Sequence, residues 1–101
     1  INAVLPGTII SSGLETYGPA VREHLGEASQ RVPMKRLGTE SEISGAVCFL
    51  LSPASAYITG AMLKIDGGSS LWGDKWLIED HKKSQPFVGF HRAYRPSWLP
   101  E

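Results

Sequence analysis

The sequence predicts an α/β fold, and three observations lead there. A short apolar run with strand character opens the chain at Asn2 to Leu5, and a second stands far downstream at Ala61 to Ile65. Between them lies a helix with a full start signal at Thr39-Glu40-Ser41-Glu42. Two strands more than fifty residues apart with helices between them predict a parallel crossover.

The chain has 101 residues, room for one small domain and no second. Ten basic and ten acidic residues cancel, so nothing marks nucleic acid or an anionic membrane as the main partner. Cys48 is the single cysteine, which excludes an internal disulfide and a cysteine-based metal cage. It fits a reducing compartment, and a cytoplasmic location is expected. No stretch approaches the ~20 apolar residues of a membrane span, and no signal-peptide pattern is present. The chain begins with Ile1 and opens in mid-strand, so it reads as the carboxyl-terminal piece of a longer protein.

The first strand ends at Pro6-Gly7, followed by Thr8, Ser11, Ser12 and Gly13. Open α/β sheets hold ligands beyond the carboxyl ends of their strands. Gly7 would let backbone approach a flat ligand closely; an ordinary turn explains the same residues. Ser11 to Gly18 reads as loop. Pro19 then suits the first position of a helix reaching about Gln30, with Val21, Leu25 and Ala28 as a thin apolar stripe. Gly26 weakens that helix. A mobile substrate lid and a poorly packed surface helix fit it equally.

Val32 to Gly38 is a connector, extended before Pro33. At Thr39 a capping box begins, with Glu42 placed to reach back to Thr39. Behind it Ile43, Ala46, Val47, Leu50 and Leu51 form one apolar face, and Ser52-Pro53 ends the helix. Cys48 flanks that face and reads as a packing residue, since no base or second thiol lies nearby. The strand from Ala61 closes in Asp66-Gly67-Gly68, an acceptor and two flexible residues suited to a tight turn.

From Ser69 onward Trp72, Trp76, Phe87, Phe90, Tyr94 and Trp98 lie among charges and prolines. Stacking on bases is one use of such a tail. Its mixed charge favours rings that anchor the tail to the body or to a neighbouring subunit.

Four ordered motifs resemble the carboxyl-terminal part of the short-chain dehydrogenase/reductase family. Asn2-Ala-Val-Leu-Pro6-Gly7-Thr8-Ile9-Ile10-Ser11 is similar to the family's N-A-V-x-P-G-x-I-x-T, and Pro33 to Ile43 to its P-x-x-R-x-G-x-x-x-E-I. Leu51-Ser52 with Tyr57-Ile58-Thr59-Gly60, then Ile65-Asp66-Gly67-Gly68, complete the run. The resemblance implies the last two strands of a Rossmann-type doubly wound parallel sheet over residues 1–68, incomplete alone, with 69–101 as an aromatic-rich extension. It places Pro6, Gly7, Ile9 and Ser11 beside the nicotinamide of NAD or NADP; Ser11 keeps a hydroxyl where the family usually has Thr. It makes residues about 12–34 the substrate-side segment, including Ser12, Gly13, Leu14 and Tyr17.

The resemblance further implies a parent NAD(P)-dependent oxidoreductase interconverting an alcohol and a carbonyl, assembled as a dimer or tetramer. The tail around Gln85 to Ala93 is faintly similar to members acting on citronellol-like terpenoid alcohols. A reductase of enoyl or 3-oxoacyl thioesters is the alternative enzyme. A non-catalytic fragment or interaction module is the alternative of another class. No catalytic residue is expected in this chain: Tyr17, Tyr57 and Tyr94 are followed four residues on by Val21, Ala61 and Trp98, not by the Lys of the family's Tyr-x-x-x-Lys. The glycine-rich phosphate loop is also missing. His24 and His81 lack metal-ligand spacing; His91-Arg92 could cover a substrate or a subunit contact, against a plain surface role.

Overall fold

A computed structural model describes residues 1–72, 78–89 and 94–99. The described residues hold four short strands: β1 (Ala3–Pro6), β2 (Ile9–Ile10), β3 (Gly38–Thr39) and β4 (Met62–Ile65). Two helices join them, α1 (Pro19–Ala28) and α2 (Glu40–Leu51). The predicted crossover is observed, with β1 parallel to β4 and Ala3 opposite Met62. A second parallel pair, β2 with β3, sets Ile9 opposite Gly38 and Ile10 opposite Thr39. That pair was not expected, because a two-residue strand carries no alternation to detect.

Asn2 clamps the β1–β4 pair from one end. Its side-chain amide donates to the Ile58 carbonyl at 3.2 Å and accepts from the Ala61 N–H at 2.9 Å. At the other end Pro6 stays in the strand instead of terminating it, opposite Ile65. Pro6 has no N–H, and the ladder continues from Gly7, whose N–H donates to the Ile65 carbonyl at 3.0 Å.

The predicted loop after Ser11 is partly ordered. Ser12–Thr16 form a 3-10 turn around buried Leu14, and the Thr16 hydroxyl donates to the Gly13 carbonyl at 2.7 Å. α1 stops at Ala28, two residues before the expected end, and tightens into a 3-10 turn at Ser29–Arg31. None of its residues is buried, as its thin stripe implies. The capping box of α2 forms in full: Thr39 Oγ1 accepts from the Glu42 N–H at 3.2 Å, and Glu42 Oε2 accepts from the Thr39 N–H at 2.9 Å.

The apolar face behind that cap is less covered than its pattern implies. Leu51 is 82% exposed, Ile43, Ala46, Val47 and Leu50 are half-buried, and Ser41 is the buried residue of α2. Cys48 is exposed, which corrects its reading as a packing residue: it points away from the little core this chain provides. That core joins Ile10, Leu37 and Leu99, with Trp98 packed against it. It therefore unites the strand ends with the carboxyl-terminal tail. No helix among the described residues is long and apolar enough to cross a membrane.

Candidate functional site

Because β1 and β4 are parallel, their carboxyl ends emerge side by side. Asp66 turns the chain after β4: its carboxylate accepts from the N–H groups of Gly68 at 3.0 Å and Ser70 at 3.2 Å. Gly67 and Gly68 have φ of 62° and 89°, which other residues rarely adopt. Hydrogen bonds from the Ser70 side chain and the Gly68 backbone hold the Asp66 carboxyl below its usual range.

Gly7 packs against this turn. A Cβ there would lie 2.9 Å from Asp66 Cα, so the space a side chain would need belongs to the chain itself. The strand ends thus require Gly7 for their own packing. Ser11 is half-buried in extended backbone, and its hydroxyl makes no capping bond to the 3-10 turn it precedes. Pro6 is exposed at the strand end. Ile9 is half-buried, with its Cδ1 over the backbone of Gly38, where a Cβ would come within 2.6 Å.

The four predicted cofactor residues do not converge on one cavity. Their neighbours Thr8 and Ile10 face in different directions. Thr8 lines a cleft of about 430 Å³ at the carboxyl ends of the strands, with Met34, Gly38, Asp66 and Gly67. Ile10 lines a separate cavity of about 260 Å³ under the tail. Among the substrate-side residues, Ser12, Gly13 and Tyr17 are exposed and Leu14 is buried as the anchor of its turn.

Arg36 and Glu42 of the second motif make a well-connected polar group here. Arg36 grips Glu42 with its two terminal guanidinium nitrogens, Nη1 at 2.9 Å and Nη2 at 2.6 Å, in the fork geometry that makes such pairs strong. Burial alone would raise the Glu42 carboxyl. The Arg36 side chain, the N–H groups of Thr39 and Phe87 and the charge of Arg36 outweigh it and hold Glu42 below its ordinary value. Arg36 also donates from Nε to the Ser84 hydroxyl at 3.0 Å, so one pair joins connector, helix start and tail. The signal was legible: an Arg six residues before the closing Glu of a capping box.

Two of the tail rings, Tyr94 and Trp98, settle on the body. Tyr94 donates to Glu15 Oε1, and Trp98 Nε1 donates to Glu15 Oε2 at 3.2 Å. Arg22 stacks over the Trp98 ring 5.3 Å from its centre. The Glu15 hydrogen bond, with burial and the Glu15 charge, raises Tyr94 above its ordinary value. Tail residues Asp80 and Phe87 are tied in as well, through Lys35 Nζ at 3.0 Å and through the Thr39 hydroxyl, which donates to the Phe87 carbonyl. Trp76, Phe90 and the His91-Arg92 pair lie outside the described residues.

Comparison with known proteins agrees with this geometry. The family model described as enoyl-(acyl carrier protein) reductase matches residues 1–70. An uncharacterized oxidoreductase of Thermotoga maritima is 42% identical over 73 residues, covering 69% of this chain and 29% of its own length. A short chain dehydrogenase structure from Bacillus anthracis superposes with a TM-score of 0.56 at 40% identity, over 71% of this chain and 26% of that one. A structure from Agrobacterium tumefaciens, named as a 2-deoxy-D-gluconate 3-dehydrogenase with bound NADP, gives 0.59 at 36% identity, over 70% of this chain and 28% of that one. The chain thus spans less than a third of the length of each of these relatives. With its ordered motifs, its parallel strand ends and these matches, the chain belongs to the short-chain dehydrogenase/reductase family.

Proposed function

We propose that the whole protein is an NAD(P)-dependent oxidoreductase that interconverts an alcohol and a carbonyl, with residues 1–68 supplying one wall of its cofactor and substrate site. A nicotinamide held there would supply hydride chemistry, and the proton of the substrate hydroxyl would pass to a base outside residues 1–101, since none of these residues is read as catalytic. The observation that carries this reading is the paired carboxyl ends of β1 and β4, with Pro6 exposed and the Ser11 hydroxyl uncommitted to its own turn. Pro6 and Ile9 would present apolar surface to the ring, and Ser11 would hydrogen-bond its carboxamide. Gly7 supports them by fitting against Asp66. Residues about 12–34 would line the substrate side, with Ser12, Gly13 and Tyr17 available and Leu14 as anchor. A terpenoid or other hydrophobic alcohol is the proposed substrate class, and a dimer or tetramer the proposed assembly in the cytoplasm.

The second reading is reduction of an enoyl or 3-oxoacyl thioester, favoured by the description of the matching family model. Ser11→Ala in the full-length protein tests the cofactor wall. Losing one hydrogen bond worth about 0.5–1.5 kcal/mol should weaken nicotinamide cofactor binding roughly 2- to 13-fold, read by nucleotide fluorescence with circular dichroism unchanged. Unaltered binding would remove Ser11 from the site. Gly7→Val is a poor test, because its side chain meets Asp66 whatever is bound.

A further inference from the structure

Glu15 belongs to the 3-10 turn Ser12–Thr16, which continues directly from Ser11. The Leu14 N–H donates to the Ser11 carbonyl at 3.1 Å, and the Tyr17 N–H to the Leu14 carbonyl at 3.4 Å. Fixing this turn therefore fixes Ser12, Gly13 and Tyr17 relative to Ser11. Buried Leu14 pins it at one point only. Arg22, on α1, holds its backbone: Nε donates to the Tyr17 carbonyl at 2.8 Å and Nη2 to the Glu15 carbonyl at 2.7 Å. Tyr94 and Trp98 hold its side chain, one on each carboxylate oxygen of Glu15, and the Arg22 guanidinium stacks over the Trp98 ring. The ring of contacts closes with Arg22 Nη2 3.7 Å from Glu15 Oε2. Pro96, between the two tail donors, is fully buried, and Leu99 just beyond them joins the core. No residue of α1 is buried. Residues 94–99 are thus the anchored partner, and the turn with α1 hangs on them.

We propose that Glu15 is a positioning residue, clasped by Tyr94 and Trp98 so that the Ser12–Tyr17 turn is held in place on the substrate side of the site. This rests on the alcohol–carbonyl reading and deepens it by naming what orders that side. With the clasp closed, Ser12, Gly13 and Tyr17 need no ordering when substrate arrives. With it released, the substrate has to order them, and apparent affinity falls by the fraction of protein in the competent arrangement. The loss belongs in KM rather than kcat, because Glu15 acts through the turn and not on the reacting atoms.

Hydrogen exchange by NMR on the full-length protein reads the clasp directly. In Glu15→Ala, which removes both acceptors, the Leu14 and Tyr17 amides should exchange roughly fivefold faster or more, with α2 at the wild-type rate. Glu15→Gln keeps one acceptor and should limit the rise to roughly twofold. Tyr94→Phe combined with Trp98→Phe removes the donors, keeps both rings, and should match Glu15→Ala. In Glu15→Ala the KM for octan-2-ol should rise roughly threefold or more, with kcat and the cofactor KM within about twofold. Faster exchange confined to residues 94–99 would show that the contacts secure only the tail and would overturn the positioning role. Faster exchange in α2 as well, or a lower kcat with KM unchanged, would overturn it too. Leu14 and Tyr17 amides that respond to Glu15 in a protein without nicotinamide-dependent alcohol turnover would keep the clasp and reject the oxidoreductase reading.

Discussion

The two parallel strand pairs obey the same pairing rule and differ in what surrounds them. Around β2 and β3, Ile10, Leu37 and Thr39 are each less than a tenth exposed, and the tail covers them. In β1 and β4 no residue is buried; Met62 is 71% exposed and Leu63 39%. Parallel sheets are normally covered on both faces. The covered pair is held by a tail and an ion pair, the bare one by backbone ladder and the Asn2 clamp. Pairing alone specifies geometry; cover supplies the stability.

The largest expected effect breaks the bare pair. Expressed alone, these 101 residues should show no cooperative thermal transition and should bind a hydrophobic dye, because two-strand sheets are marginal in water. A monomer that melts cooperatively would show that the tail-covered core suffices for the whole chain.

The next effect sharpens the covered side. Arg36→Met in the full-length protein should cost about 1–2 kcal/mol in denaturant unfolding, reduced from a fully buried pair because Glu42 keeps some solvent contact. The same pair sets a pH dependence. Glu42 titrates lower folded than unfolded, so its contribution is complete above the unfolded value and disappears as pH falls through the lower folded one. Arg36→Met should flatten that acid limb; an unchanged limb would assign it to other carboxylates. The smallest effect concerns the clasp. Glu15→Gln retains one acceptor oxygen at a partly exposed site and should change stability by about 0.5 kcal/mol or less, while increasing proteolysis near Tyr94. Unchanged cleavage would show that the tail is secured without the Glu15 contacts.

Much of the fold was legible because its signals are local. The capping box needs only residues three apart, and Thr39 and Glu42 form it as read. The Asp66-Gly67-Gly68 turn is equally local, and positive φ at both glycines bears it out. Features that depend on distant partners were not legible. Gly38 reads as connector until Ile9 is placed beside it. The tail rings call for a partner, but nothing in the sequence points them to Glu15, some eighty residues earlier. Gly7 was half-read: its missing side chain matters, and the neighbour occupying that space is Asp66. The face of α2 was patterned correctly and left half-covered, because a pattern states what a helix can bury and not what is there to bury it.

The pairing of Ala3 with Met62 has a consequence for the order of assembly. The helix cap on α2 can form as soon as its own dozen residues exist, but the β1–β4 ladder cannot form until β4 has been synthesised. Closing so long a loop is paid in chain entropy before any ladder bond forms. On the ribosome the edge of β1 that receives β4 therefore stays unpaired through the synthesis of everything between. During that interval this edge is open to any other strand edge it meets. A chaperone that shields it until the chain reaches Ile65 would raise the yield of folded protein without altering its final stability.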